Sequence, residues 1–201
     1  MKNKVVNSII NFIKKYYNYD NKKILELKYG IEVIYLSITK IISIILISYI
    51  LNINKELMLF LLFYGILRII GFGAHAKSTL QCWILSIITF TFIPILIKYI
   101  NIPKFILILL SIPLLIIIYK YAPADTEKRI LKNKNTKTLL KYIELFITIC
   151  YIFTISFFAN NYYSNILFYS ILTESILILP ITYKILGVKY NNYLLLEKGD
   201  I

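Results

Sequence analysis

The sequence predicts an all-α polytopic membrane protein, with six transmembrane helices and an N-terminal amphipathic helix lying in the interface. Three observations carry this. Of the 201 residues, 59% are hydrophobic, well above the roughly 45–50% of a soluble domain. The excess falls in runs of Ile, Leu and Tyr long enough, at about 20 residues, to cross a bilayer. The lysines gather between these runs and mostly on one side, as the positive-inside rule requires.

Residues 1–29 read as a basic amphipathic helix. Val5, Val6, Ile9, Ile10, Phe12, Ile13, Tyr16 and Tyr17 cluster on one side, with Lys14, Lys15, Lys22 and Lys23 elsewhere. Such a helix rests on an anionic leaflet; the alternative is a basic tail that only sets topology. No small-residue cleavage site follows it, so a cleavable signal peptide is not expected.

The spans are expected at 31–51, 56–72, 83–100, 104–121, 139–159 and 164–186, within a single membrane domain covering 1–201. The connections from Asn52 to Lys55, Asn101 to Pro103 and Asn160 to Ser164 are short and weakly charged. The other side holds the basic N-terminus, Arg68, Lys77, Lys120 and a basic loop at 122–138 with Lys128, Arg129, Lys132, Lys134 and Lys137. Lys184, Lys189 and Lys198 follow. This asymmetry puts both termini and the loop in the cytoplasm, which an even number of spans permits. Pro94, Pro113 and Pro180 fall inside spans, where neighbouring helices satisfy the freed carbonyls. The net charge of +13 is then topogenic. It argues for no nucleic-acid partner, because no basic stripe is interleaved with exposed aromatics as strand binders require.

Two charges fall deep in spans. Lys40 and Glu174 sit at matching depths, and each unpaired would cost about 2.5–3.5 kcal/mol or more, so they are expected to pair or share a polar cavity. Glu144, nearer the cytoplasmic end of its span, is expected to snorkel. Of the two cysteines, Cys150 lies deep in an apolar run and reads as a small apolar residue.

The candidate chemistry is concentrated in Arg68-Ile69-Ile70-Gly71-Phe72-Gly73-Ala74-His75-Ala76-Lys77-Ser78-Thr79-Leu80-Gln81-Cys82. This stretch holds the only histidine and the other cysteine. Cysteine with histidine is the minimal pair for thiolate nucleophilic catalysis: His75 takes the thiol proton and returns it to the leaving amine. The start of a helix at Cys82 would favour the thiolate. The spacing imposes a condition. Seven residues on a straight helix separate His75 and Cys82 by about 10.5 Å along the axis, too far for a hydrogen bond. A break is therefore required, which Gly71 and Gly73 can supply, with His75 before the turn and Cys82 beyond it. Arg68 binds a substrate carboxylate, steadies the bend, or caps carbonyls freed by the glycines. Gln81 is an oxyanion donor or a polar flank, and Lys77 and Ser78 are interfacial. No metal cluster is visible.

The pattern Arg68-x2-Gly71-x-Gly73-Ala74-His75-Ala76-Lys77-Ser78 with Cys82 resembles the signature of the accessory gene regulator B (AgrB) family, membrane endopeptidases of Gram-positive quorum sensing. Tyr121-Ala122-Pro123-Ala124-Asp125-Thr126-Glu127 is a second match, and length, span count and motif order also fit. The resemblance covers roughly residues 5–190. It implies a cysteine endopeptidase that cleaves the C-terminal tail from a short precursor peptide of the AgrD type, with His75 and Cys82 as the catalytic pair and Arg68 and Gly73 important. The acyl-enzyme would be captured by a side-chain thiol or hydroxyl of the peptide, giving a thiolactone or lactone. The resemblance calls for no cofactor. The acidic tail of such peptides suits the basic loop. Asp125 either orients His75 or merely starts the loop, with Pro123 ending the helix. A homo-oligomer stays open. The rival reading is a non-enzymatic transporter or export partner of a peptide, with Arg68, Lys40 and Glu174 lining a path. A lipid-modifying enzyme is less consistent, since no multi-histidine or carboxylate cluster is there to hold a metal.

Overall fold

Residues 2–17, 19–126, 131, 133–157 and 160–190 are described by the computed structural model. Lys128, Arg129, Lys132 and Lys198 lie outside them. The chain divides into two units, Met1–Ile50 and Leu51–Ile201.

The first unit holds α1 (Lys2–Tyr16) and α2 (Asn21–Ile50). The helix expected over 1–29 ends at Tyr16, and residues 21–29 open the next one. Asp20 explains the new start. Its carboxylate accepts the Asn21 N–H at 2.7 Å, and its carbonyl accepts the first helical bond, from Ile24 at 3.0 Å. An aspartate in that position satisfies donors that a helix start leaves free. The two helices pack together, and Val6 and Ile10 of α1 are buried. Lys40 sits in the second half of α2.

The second unit holds α3 (Asn54–Gly71), α4 (Thr79–Tyr99), α5 (Lys104–Tyr121), α6 (Lys134–Phe157), α7 (Asn161–Ile178) and α8 (Pro180–Leu186). Short connections make α3, α5 and α7 run one way and α4 and α6 the other. The central element is α7, which packs against α3, α5 and α6 and is buried at Ser164, Ser170, Thr173, Glu174 and Ser175 among apolar neighbours. Small residues let helices approach closely without a hydrophobic drive between them. Two of the hydroxyls are satisfied by their own helix: Ser170 donates to the Ile166 carbonyl at 2.8 Å and Thr173 to that of Tyr169 at 2.7 Å. The outer faces are different. Ile88, Phe92, Phe105, Leu109, Ile112 and Ile116 are all exposed, which suits a hydrocarbon surround and no aqueous one.

Among the described residues, four helices are long and apolar enough to cross a membrane: α2, α4, α5 and α6. A fifth is added if α7 and α8 count together, though they bend by 66°. The chain is thus a membrane protein with several apolar helices. The stretch expected at 56–72 forms α3, but its 18 residues carry Lys55, Glu56 and Arg68, so it is less apolar than the other candidates. The stretch expected at 164–186 is broken at Leu179, because Pro180 has no N–H to offer the preceding turn and its ring crowds the carbonyl four residues back. Pro94 and Pro113, by contrast, lie inside α4 and α5. Glu144 does not snorkel: it is fully buried.

Candidate active site

The site forms where α3 ends. Gly71 closes the helix, and the next two residues turn the chain through the left-handed region, Phe72 at φ 63° and Gly73 at φ 77°. Glycine adopts that conformation without the clash a Cβ brings. The following extended segment is stitched on two sides. Phe72 forms a parallel bridge with Ala124, in which the Gly73 N–H donates to the Ala124 carbonyl and the Ala124 N–H to the Gly71 carbonyl, both at 2.9 Å. On the other side the Ala74 N–H donates to the Leu177 carbonyl at 2.7 Å. That carbonyl lies in the last turn of α7, freed by the break before Pro180. Tyr183 of α8, itself buried, donates its hydroxyl to the carbonyls of Ala124 and Asp125 at 3.0 and 2.9 Å. Three separate helix ends thereby fix the backbone that leads into His75.

Arg68 holds the inside of the turn. One guanidinium nitrogen, Nη2, donates to the Ala74 carbonyl at 2.7 Å and the Gly73 carbonyl at 3.3 Å. The other, Nη1, stands 3.9 Å from Glu174 Oε2. Sequence reasoning gave Glu174 a partner in Lys40; the ion pair it makes is with Arg68. Of the uses foreseen for Arg68, the carbonyl cap is present in the structure. Both glycines are packed against this machinery. A Cβ at Gly73 would meet Arg68 Nη1, and one at Gly71 would meet the Oε1 atoms of Glu144 and Glu174.

The chain re-enters helix at Thr79. Ser78 caps α4: its Oγ accepts the Gln81 N–H at 3.2 Å, and Gln81 Oε1 accepts the Ser78 N–H at 3.4 Å. This reciprocal box satisfies two otherwise orphaned donors. It also gives Gln81 Oε1 a structural use. Cys82 lies in the first turn of α4, and its N–H makes the first helical bond to Ser78 at 3.0 Å.

The interruption brings the two reactive side chains together. Cys82 Sγ is 3.9 Å from His75 Nδ1, within sulfur hydrogen-bond reach and far inside the separation a continuous helix would impose. The break falls differently from expectation. The glycine turn precedes His75, so the histidine sits inside the interruption, past the turn, rather than before it. His75 is exposed and Cys82 half-buried. His75 also lines a pocket of about 90 Å³ with Ala76, Lys77, Thr126, Tyr183, Val188 and Lys189. Among the described residues, two lysines and no carboxylate line it. Asp125 is buried at the same end of the bundle, its backbone tied to Tyr183.

Sequence reasoning missed three contributors. Tyr183 is one of 18 tyrosines, and nothing local marks it. The Leu177 carbonyl is signalled only by Pro180, three residues on. Glu144 was visible as a charge in an apolar run, yet its place against Gly71 depends on how α6 packs on α3.

Comparison with known proteins bears on the whole chain. The profile of the accessory gene regulator B family matches residues 6–178. An AgrB-like protein of Clostridium acetobutylicum is 29% identical over 186 residues, covering 92% of this chain and 89% of that one. Accessory gene regulator protein B of Staphylococcus aureus strain JH9 is 32% identical over 181 residues, covering 88% and 93%. The protein of the same name from strain MW2 is 28% identical over 178 residues. No solved structure matches.

Proposed function

The chain belongs to the accessory gene regulator B family, and we propose that it is a membrane cysteine endopeptidase of quorum sensing, which removes the C-terminal tail of a short precursor peptide of the AgrD type. The observation that carries the reading is the approach of Cys82 Sγ to His75 Nδ1 at 3.9 Å, across a helix break that makes it geometrically possible. Such contacts are often long without substrate and tighten when it binds.

In this reading His75 accepts the Cys82 proton and the thiolate attacks the scissile carbonyl carbon. A carbon–sulfur bond forms and the carbonyl electrons move to oxygen, where the first amides of α4 favour negative charge. The intermediate collapses, the carbon–nitrogen bond breaks, and the imidazolium returns its proton to the departing amine. The thioester keeps its acyl-transfer potential. A thiol or hydroxyl of the bound peptide then attacks it, closing a thiolactone or lactone and freeing Cys82. Arg68 and Gly73 serve by shaping the backbone before His75.

The acidic tail of the precursor fits the charge of the surroundings. Lys77 and Lys189 line the pocket beside His75, and Lys134 and Lys137 lie in the first turn of α6. The topology we propose has six crossings, with α3 and the bent α7–α8 pair joining the four most apolar helices. Both termini and the site then face the cytoplasm, where a newly made peptide is available. The amphipathic α1 would lie along that leaflet.

Co-expression with an AgrD-type precursor tests this. Wild type should shorten the peptide, and Cys82→Ala and His75→Ala should leave it intact. Shortening by both variants would sink the protease reading and return attention to a non-enzymatic export role.

A further inference from the structure

Glu174 belongs to no step of the reaction above, yet it is fully buried beneath the turn that carries His75. Neither of its carboxylate oxygens has a hydrogen-bond partner among the described residues. The cation facing it is Arg68, whose Nη1 lies 3.9 Å away and likewise has no hydrogen-bond acceptor. The same guanidinium, through Nη2, holds the carbonyls of Gly73 and Ala74, the two residues just before His75. A planar guanidinium fork is rigid, so whatever fixes one nitrogen fixes the other.

We propose that Glu174, acting through Arg68, is a positioning residue for the His75–Cys82 pair. Its charge holds the guanidinium at the depth from which Nη2 reaches the two carbonyls, and this sets the height of His75 against the first turn of α4. Crowding enforces the arrangement. Gly71 leaves room for the Oε1 atoms of Glu174 and Glu144, both of which a Cβ there would meet. Glu174 therefore has little freedom to swing away from Arg68. Glu144 of α6, Tyr64 of α3 and Tyr183 of α8 are the other titratable groups electrostatically close to the Arg68–Glu174 pair. The inference rests on the reading of Cys82 and His75 as nucleophile and base.

A substrate-free assay separates the two. Full-length protein, purified as a monodisperse species in detergent, is treated with iodoacetamide, and the alkylation rate of Cys82 is read by peptide mass spectrometry across pH. His75→Ala should slow alkylation at neutral pH about tenfold, because a thiol loses reactivity with its imidazole neighbour. Glu174→Gln should fall most of the way to the same rate and lose the same pH dependence. Glu56→Gln, which removes a buried carboxylate at the opposite end of the bundle, should match wild type. An unchanged rate in His75→Ala would defeat the dyad itself. A slow His75→Ala beside a wild-type Glu174→Gln would overturn the positioning role alone. Should Glu174→Gln fail to give monodisperse protein, Glu174→Asp, one methylene too short to keep its reach, carries the same prediction. Loss of folded protein in both would also overturn the proposal, making Glu174 a condition of folding rather than of placement.

Discussion

Replacing glycine by alanine inside a helix ordinarily stabilises by about 0.5–1 kcal/mol, because the unfolded chain loses freedom. At Gly71 the structure reverses that sign. A Cβ there would stand 2.6 Å from Glu174 Oε1 and 2.8 Å from Glu144 Cδ, with Glu144 Oε1 closer still. Ordinary contact begins near 3.4 Å, so both carboxylates must retreat by most of an ångström. Both are fully buried, and Glu174 cannot retreat without disturbing Arg68. Overpacking of this kind costs about 1–3 kcal/mol, which outweighs the propensity gain. Gly65 of the same helix supplies the control, since a Cβ there meets nothing within 4 Å. In detergent, Gly71→Ala should lower the midpoint of thermal unfolding by several degrees, at about 2–4 °C per kcal/mol for a chain of this size. Gly65→Ala should leave it unchanged or raise it slightly. A Gly71→Ala protein as stable as Gly65→Ala would refute the close approach of α6 and α7 to the end of α3.

Three further outcomes follow from the site. Gly73→Ala places a side chain at φ 77°, at a cost of about 1–2 kcal/mol, and drives its Cβ onto Arg68. Peptide cleavage should be lost while the protein remains extractable from membranes. Ser78→Ala removes the cap of α4, worth about 1 kcal/mol, and frays the turn bearing Cys82; steady-state kinetics should show a fall in kcat with little change in KM. Tyr183→Phe leaves the Asp125 carbonyl without its hydroxyl donor, a loss of about 1–3 kcal/mol that thermal unfolding should detect, alongside reduced cleavage.

How far the sequence foretold this arrangement depended on the range of the interaction. The helices were legible because apolar length and proline placement act locally, as at α5, whose expected and observed limits coincide. The need for a break between His75 and Cys82 followed from helix geometry alone. What resisted was whatever depends on packing between distant segments. Glu174 was visible as a buried charge, but choosing Arg68 over Lys40 required knowing that α3 lies against α7. The break at Leu179 was signalled by Pro180, yet Pro94 and Pro113 carry the same signal and lie inside unbroken helices. The difference is that Leu177 finds a partner in Ala74 once the helix opens. Asp20 was a readable cap, overlooked because the apolar periodicity runs on past it.

The central claim is that Cys82 takes up the peptide as a thioester, and trapping that species tests it most directly. The purified protein in liposomes is mixed with an AgrD-type precursor, quenched in acid, and digested for mass spectrometry. The expected result is a hydroxylamine-sensitive adduct on Cys82, equal in mass to the precursor without its tail, formed as free tail appears and absent in His75→Ala. Release of the tail at the wild-type rate by Cys82→Ala, with no adduct on any residue, would contradict the claim.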